Sequence, residues 1–117
     1  MKLLTRKQFL EKPSWTIFSY YAERYSPWFD NLHIKWSTMY NDFSMQCLLT
    51  EMWFEFSDDW MENCAIWEEK LEKWESMKLD FNCYWRDWSF EDKQRFVIYE
   101  KRDIQNLINV LSQSLNN

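Results

Sequence analysis

Glycine is absent from all 117 residues of this chain, while tryptophan occurs nine times. A chain of this length with average composition carries roughly eight glycines. The tryptophans follow turn signals: Trp15 comes after Lys12-Pro13-Ser14, Trp28 after Ser26-Pro27, Trp60 after Asp58-Asp59 and Trp88 after Arg86-Asp87. Pro, Ser and Asp clusters announce turns, and the residue that relieves a turn needing positive φ is Gly or Asn, not a bulky indole. The pattern is that of a glycine-containing sequence read with Trp in every Gly position, whether by engineering, recoding or a misread sequence. Taken at face value, such a chain bears strain wherever a turn demands left-handed backbone, and it exposes aromatic surface that promotes self-association.

A second reading takes the tryptophans literally. Trp53, Trp60, Trp67 and Trp74 are spaced by seven and share one face of a helix spanning about residues 50–78, together with Phe56, Cys64, Leu71 and Met77. Indole fits a tight helical seam poorly, and Trp15, Trp28, Trp36, Trp85 and Trp88 fall outside that stripe. A common Gly position accounts for all nine; the heptad accounts for four.

Local patterns give a fold class. Thr5-Arg6-Lys7-Gln8 has the form of a capping box and opens a short helix that Lys12-Pro13 ends. Thr16 to Tyr21 is β-branched and aromatic and reads as a strand. Leu32-His33-Ile34-Lys35 suggests a second strand, and Phe43, Met45, Cys47 and Leu49 a third after the Asn41-Asp42 turn. Residues 60–74 read as a helix, and Met77, Leu79, Phe81 and Cys83 alternate with polar partners as a strand. Arg86 to Ser89 reads as a loop and Arg95 to Tyr99 as a strand. Asp103 is the expected cap of a final helix whose Ile104, Leu107, Ile108, Leu111 and Leu115 repeat at helical spacing. The order α-β-β-β-α-β-β-α predicts one α+β domain over residues 1–117, a mainly antiparallel sheet with helices packed on one face.

Composition bounds the function. Apolar residues make up 46% and charged residues 28%, as expected of a folded chain rather than a disordered one. No apolar run reaches membrane-spanning length, and the N-terminal residues lack the apolar core of a signal peptide, so a cytoplasmic protein is expected. Cys47, Cys64 and Cys83 are odd in number and far apart, and His33 is the only histidine. Neither a disulfide framework, a zinc site nor any cofactor follows from that set; buried thiols do.

The net charge of −5 is unevenly placed. Residues 1–50 hold six Lys/Arg against four Asp/Glu, residues 51–80 hold three Lys against ten Asp/Glu, and residues 81–117 balance. Direct nucleic-acid binding lacks the basic stripe it needs, so stacking of bases on the many aromatics is disfavoured as well. A protein partner with a basic surface fits better. The candidate contact residues are Asp58, Asp59, Glu62, Glu68, Glu69, Glu72 and Glu75, an acidic row able to imitate phosphates, with an ordinary solvated helix face as its plain alternative. Among these carboxylates no two are set apart for acid–base work. Cysteine catalysis would need His33 beside a cysteine, and nothing in the local sequence marks such a pair. Restoring Gly at the Trp positions creates no phosphate-binding loop.

Three stretches carry a resemblance once Gly is imagined at the Trp positions. They are Leu4-Thr5-Arg6-Lys7-Gln8-Phe9-Leu10 with Pro13-Ser14-x-Thr16, then Leu32-His33-Ile34-Lys35, then Leu79-Asp80-Phe81-Asn82-Cys83-Tyr84-x-Arg86-Asp87-x-Ser89-Phe90. Together they resemble small acidic proteins encoded by bacteriophages and prophages. The resemblance implies an accessory protein of the infected or lysogenic bacterial cytoplasm. The expectation is therefore a non-enzymatic interaction protein that binds a host or phage protein through residues 51–80, counter-defence being one form of that role. Two alternatives stand beside it: an engineered or recoded Gly-to-Trp variant with no native function, and a small hydrolase or thiol enzyme using His33 and a cysteine.

Overall fold

The chain is described by a computed structural model over residues 1–22, 28–29, 32–48, 68–74 and 84–116. Among these residues the elements run β1 (Lys2–Leu4), α1 (Arg6–Leu10), β2 (Thr16–Ala22), β3 (Trp28–Phe29), β4 (His33–Met39), β5 (Asp42–Cys47), β6 (Tyr84–Arg86), β7 (Arg95–Ile98) and α2 (Lys101–Ser114). Residues 68–72 are helical. The fold is α+β and its sheet is antiparallel, as the sequence predicts. The expected order of helices and strands is followed, with β1 and β3 as further short strands. The expected strand from Met77 lies outside the described residues up to Tyr84, where β6 begins, as does the part of the expected helix before residue 68.

Strand order is β1-β7-β2-β4-β5-β6, with β3 paired to the far end of β2. Register fixes which side chains share a face. Phe18 stands opposite His33, which in turn stands opposite Cys47, and Lys35 stands opposite Met45. One face therefore carries Phe18, Phe43, Met45, Phe96 and Ile98, and α1 covers it by inserting Phe9. The Phe9 ring stacks on Phe96 (4.1 Å, 12°) and meets Phe43 edge-on (5.0 Å, 77°). A five-residue helix cannot hold itself together in water. Burial of Phe9, worth about 1.5–3 kcal/mol, and the capping box hold it in place. The Thr5 N–H donates to Gln8 Oε1 at 3.0 Å, and the Gln8 N–H donates to Thr5 Oγ1 at 3.3 Å.

An extra residue in β4 matters to this packing. Lys35 pairs with Met45 but Thr38 pairs with Phe43, so three steps on β4 match two on β5. Strict alternation would send Lys35 and Thr38 to opposite faces; the bulge brings both beneath α1. There Lys35 Nζ donates to Thr38 Oγ1 (2.7 Å), Lys12 O (2.8 Å) and Trp36 O (3.2 Å), and Thr38 Oγ1 donates to Leu10 O (2.7 Å). A lysine and a threonine thus satisfy the carbonyls at the end of α1.

The final helix starts earlier than its apolar pattern suggests. Asp103 is not the N-cap: Glu100 holds that position, and Asp103 sits three residues on. Its carboxylate accepts the Glu100 N–H at 2.9 Å. The backbone leaves β7 directly into the helix, and the first i→i−4 bond runs from Ile104 N to Glu100 O. Every side chain of α2 remains at least partly exposed.

Backbone geometry divides the tryptophans. Trp15, Trp74 and Trp88 have left-handed φ of 74°, 60° and 57°. Those are the angles for which glycine is the default residue. Trp28, Trp36 and Trp85 lie instead in β3, β4 and β6, where no such angle is needed. Trp74 also settles the seven-residue spacing on its side of the chain. Helical residues stop at 72, and Trp74 turns left-handed while its N–H donates to Leu71 O. That is the position after a helix end where glycine is usual, so the helical stretch 68–72 does not continue through Trp74. Trp53, Trp60 and Trp67 lie outside the described residues.

Candidate functional site

Among the described residues three groupings of polar or reactive side chains stand out, and each is built by different elements. The first is a buried network under α1. Arg6 Nη1 donates to Asp87 Oδ2 at 2.8 Å, with both side chains only 2% exposed. Arg6 Nη2 donates to Asn41 O at 2.6 Å. The other Asp87 oxygen accepts the Tyr20 hydroxyl at 2.6 Å, and Ser89 Oγ donates to Oδ2 at 2.7 Å. Asp42, also buried, accepts from Arg86 Nε (3.0 Å) and Nη2 (2.9 Å) and from the Trp88 N–H (3.1 Å). The Arg86 guanidinium lies over the Trp88 ring, 3.8 Å from its centroid. These carboxylates are fully engaged in holding the segment after β6 against α1 and β5. They form structural ion pairs rather than an acid–base pair open to substrate.

Second, the sheet brings His33 and Cys47 directly opposite each other on adjacent strands, a juxtaposition that no local motif announces. Their side chains are 1% and 0% exposed, and the imidazole stacks on Phe18 (5.2 Å, 26°). Imidazole and thiol are both buried in the core, whereas nucleophilic catalysis needs the sulfur within reach of a substrate. Cys64 and Cys83 lie outside the described residues. No group of three or more His, Cys, Asp or Glu suited to a metal forms among the described residues.

Third is the acidic segment. Glu68, Glu69 and Glu72 are all exposed on the helical stretch 68–72. Glu69 Oε1 pairs with Lys73 Nζ at 2.7 Å, an exposed i,i+4 bridge that contributes little to stability. Glu68 and Glu72 stand one helical turn apart on one face. Asp58, Asp59, Glu62 and Glu75 lie outside the described residues.

Two depressions also open among the described residues. A groove of about 400 Å³ between α2 and the sheet is lined by Ile17, Leu32, Ile104, Leu107 and Val110, with Asp103, Asn106 and Tyr99 as its polar members. Two of its polar groups are occupied: Tyr99 Oη shares a hydrogen bond with Ser19 Oγ at 3.0 Å, and Asp103 binds the Met1 ammonium at 2.6 Å. That contact lowers the Asp103 carboxyl below its ordinary value and raises the Met1 ammonium above its own. A shallower hollow of about 330 Å³ is lined by Trp36, Ser44, Met45, Tyr84 and Arg86. Burial pulls the Lys35 ammonium below its usual value, but its three acceptors are protein oxygens, one just past the end of α1 and two in β4.

The negative charge of residues 51–80 is legible in the sequence; the Arg6–Asp87 and Asp42–Arg86 pairs are not. Each joins residues far apart in the chain, and charged residues scattered along a sequence carry no mark of their partner. Among the described residues no helix is long and apolar enough to cross a membrane. Comparison of the chain with protein-family models, with curated proteins and with solved structures finds no match.

Proposed function

We propose that this chain is a non-enzymatic accessory protein, of the kind phages and prophages encode, that binds a host or phage protein with a basic surface through its acidic region 51–80. The observation that supports this reading is the contrast between its two sets of charges. Asp87, Asp42, Arg6 and Lys35 are spent on internal contacts, whereas Glu68, Glu69 and Glu72 face solvent in the segment with seven excess negative charges. Exposed like charges add nothing to folding and raise the rate at which a basic partner is captured. Counter-defence in the bacterial cytoplasm is one setting in which such capture would serve.

The test is charge reversal. Glu68, Glu69, Glu72 and Glu75 are replaced together by Lys, and proteins retained from host lysate are compared with those retained by the unaltered chain. The expected result is loss of a basic partner whose retention also falls as salt rises. An unchanged set of retained proteins would overturn the reading.

A further inference from the structure

Along the final helix runs an apolar seam that the described residues leave largely exposed. Ile104, Ile108, Leu111 and Leu115 follow one another at steps of four, three and four, the spacing of a coiled-coil contact line. Ile108 is 50% exposed, Leu111 58% and Leu115 87%. Ile104, the half-buried end of the seam, lines the groove between α2 and the sheet with Leu107 and Val110, which flank the seam and remain 41% and 61% exposed. A helix of 14 residues without a single buried side chain is at the margin of stability in water.

We propose that the seam of α2 pairs with the same seam of a second copy of this chain, the two helices running antiparallel about a two-fold axis. Two observations favour a copy over a different partner. From Ile104 to Leu115 there is no charged residue, so a charged partner finds nothing to complement, while two copies meet without repulsion along the contact line. The ends of the helix are also complementary to each other. Lys101 and Arg102 stand exposed in the first turn, and the last turn has no basic residue to offset its unpaired carbonyls. Antiparallel pairing sets the cations of one copy beside the negative helix end of the other.

The area agrees with a real but modest association. The exposed apolar side chains of α2 offer on the order of 500 Å² per copy, hence roughly 1,000 Å² in total, near the lower limit for a specific interface. This pairing does not depend on the acidic segment, and the two proposals stand or fall separately.

The test is sedimentation equilibrium of the full chain across its soluble range, alongside Leu111→Glu on the seam and Gln113→Glu on the opposite side of the helix. The two variants carry the same change of charge. A concentration-dependent dimer is expected, with the dissociation constant raised roughly 30-fold or more by Leu111→Glu and altered less than about threefold by Gln113→Glu. Should circular dichroism find Leu111→Glu unfolded, Leu115→Glu replaces it under the same criterion. A chain that stays monomeric throughout, including one whose seam another protein covers, overturns the proposal. So does a dimer or larger species insensitive to the seam variant, which would assign association to the exposed indoles of Trp15, Trp74 and Trp88.

Discussion

Arg6 in the first helix and Asp87 beyond the sixth strand, 81 positions apart, form an ion pair of 2.8 Å with both side chains almost wholly removed from water. The pair ties the segment after β6 to the helix that closes the core, and Tyr20 and Ser89 complete the coordination of the carboxylate. Replacing Asp87 with Ala strands the guanidinium in the interior. A loss of about 3–5 kcal/mol is expected, read from the urea midpoint. Tyr20→Phe removes one charge-assisted hydrogen bond and should cost about 1.5–3 kcal/mol.

The left-handed positions predict stabilising substitutions. Trp15→Gly, Trp74→Gly and Tyr40→Gly each relieve a Cβ clash worth about 1–2 kcal/mol, offset by the extra chain freedom of glycine, so each should gain up to about 1 kcal/mol. Tyr40 is the first of the two residues joining β4 to β5 and has φ 58°, at the position where such hairpins favour glycine. Trp15→Gly and Trp88→Gly should gain less than the other two, because the Trp15 ring meets Trp36 edge-on and the Trp88 ring stacks with Arg86. Trp36→Gly, within β4, should destabilise instead. Thermal midpoints of the five variants decide it: equal loss at all five would mean that the left-handed turns are not strained by their indoles.

The three acceptors of Lys35 Nζ make that residue irreplaceable by an apolar side chain of similar length. Lys35→Met leaves Lys12 O, Trp36 O and Thr38 Oγ1 without their donor, and about 1–3 kcal/mol of stability should be lost for the unmet acceptors. Hydrogen exchange would show where: the α1 amides should open first, before those of β2 and β7.

Stability should depend on pH through the Met1–Asp103 contact. The Asp103 carboxyl is held below its ordinary 3.8, chiefly by the hydrogen bond from the Met1 ammonium and then by that from the Glu100 N–H. Its contribution is present above 3.8 and is lost as pH falls through the depressed folded value. The ammonium is raised above its ordinary 8.0, chiefly by the Asp103 hydrogen bond and then by Glu100. That contribution is complete below 8.0 and is lost as pH rises through the raised value. Asp103→Asn, which can still accept the Glu100 N–H, should flatten both limbs of the stability profile. Profiles that superimpose would exclude the contact as their source.

How far the sequence could be read is clear from individual elements. The capping box at Thr5, the aromatic strand from Thr16 and the apolar repeat from Ile104 act over a few residues, and each appears where its pattern places it. α2 begins three residues before its apolar repeat predicts, because the repeat begins at Ile104, whereas the chain turns helical soon after it leaves β7. Turn signals before Trp15 and Trp88 correctly anticipate positive φ, but the one before Trp28 precedes a strand. A Pro or Ser cluster shows that a chain reverses, not which residue takes the unusual angle.

The sequence by itself determined the short first helix, the main strands of the described sheet and the final helix, the glycine-like positions at Trp15 and Trp88 and the concentration of negative charge in residues 51–80, because periodicity, turn chemistry and charge are local properties. Only the tertiary structure decided that Arg6 meets Asp87, that His33 faces Cys47 within the core, and that Lys35 and Thr38 reach the end of the first helix together. Those contacts depend on strand order and on one extra residue in β4. A single-residue change of register exchanges the two faces of a strand, and no local pattern carries that information.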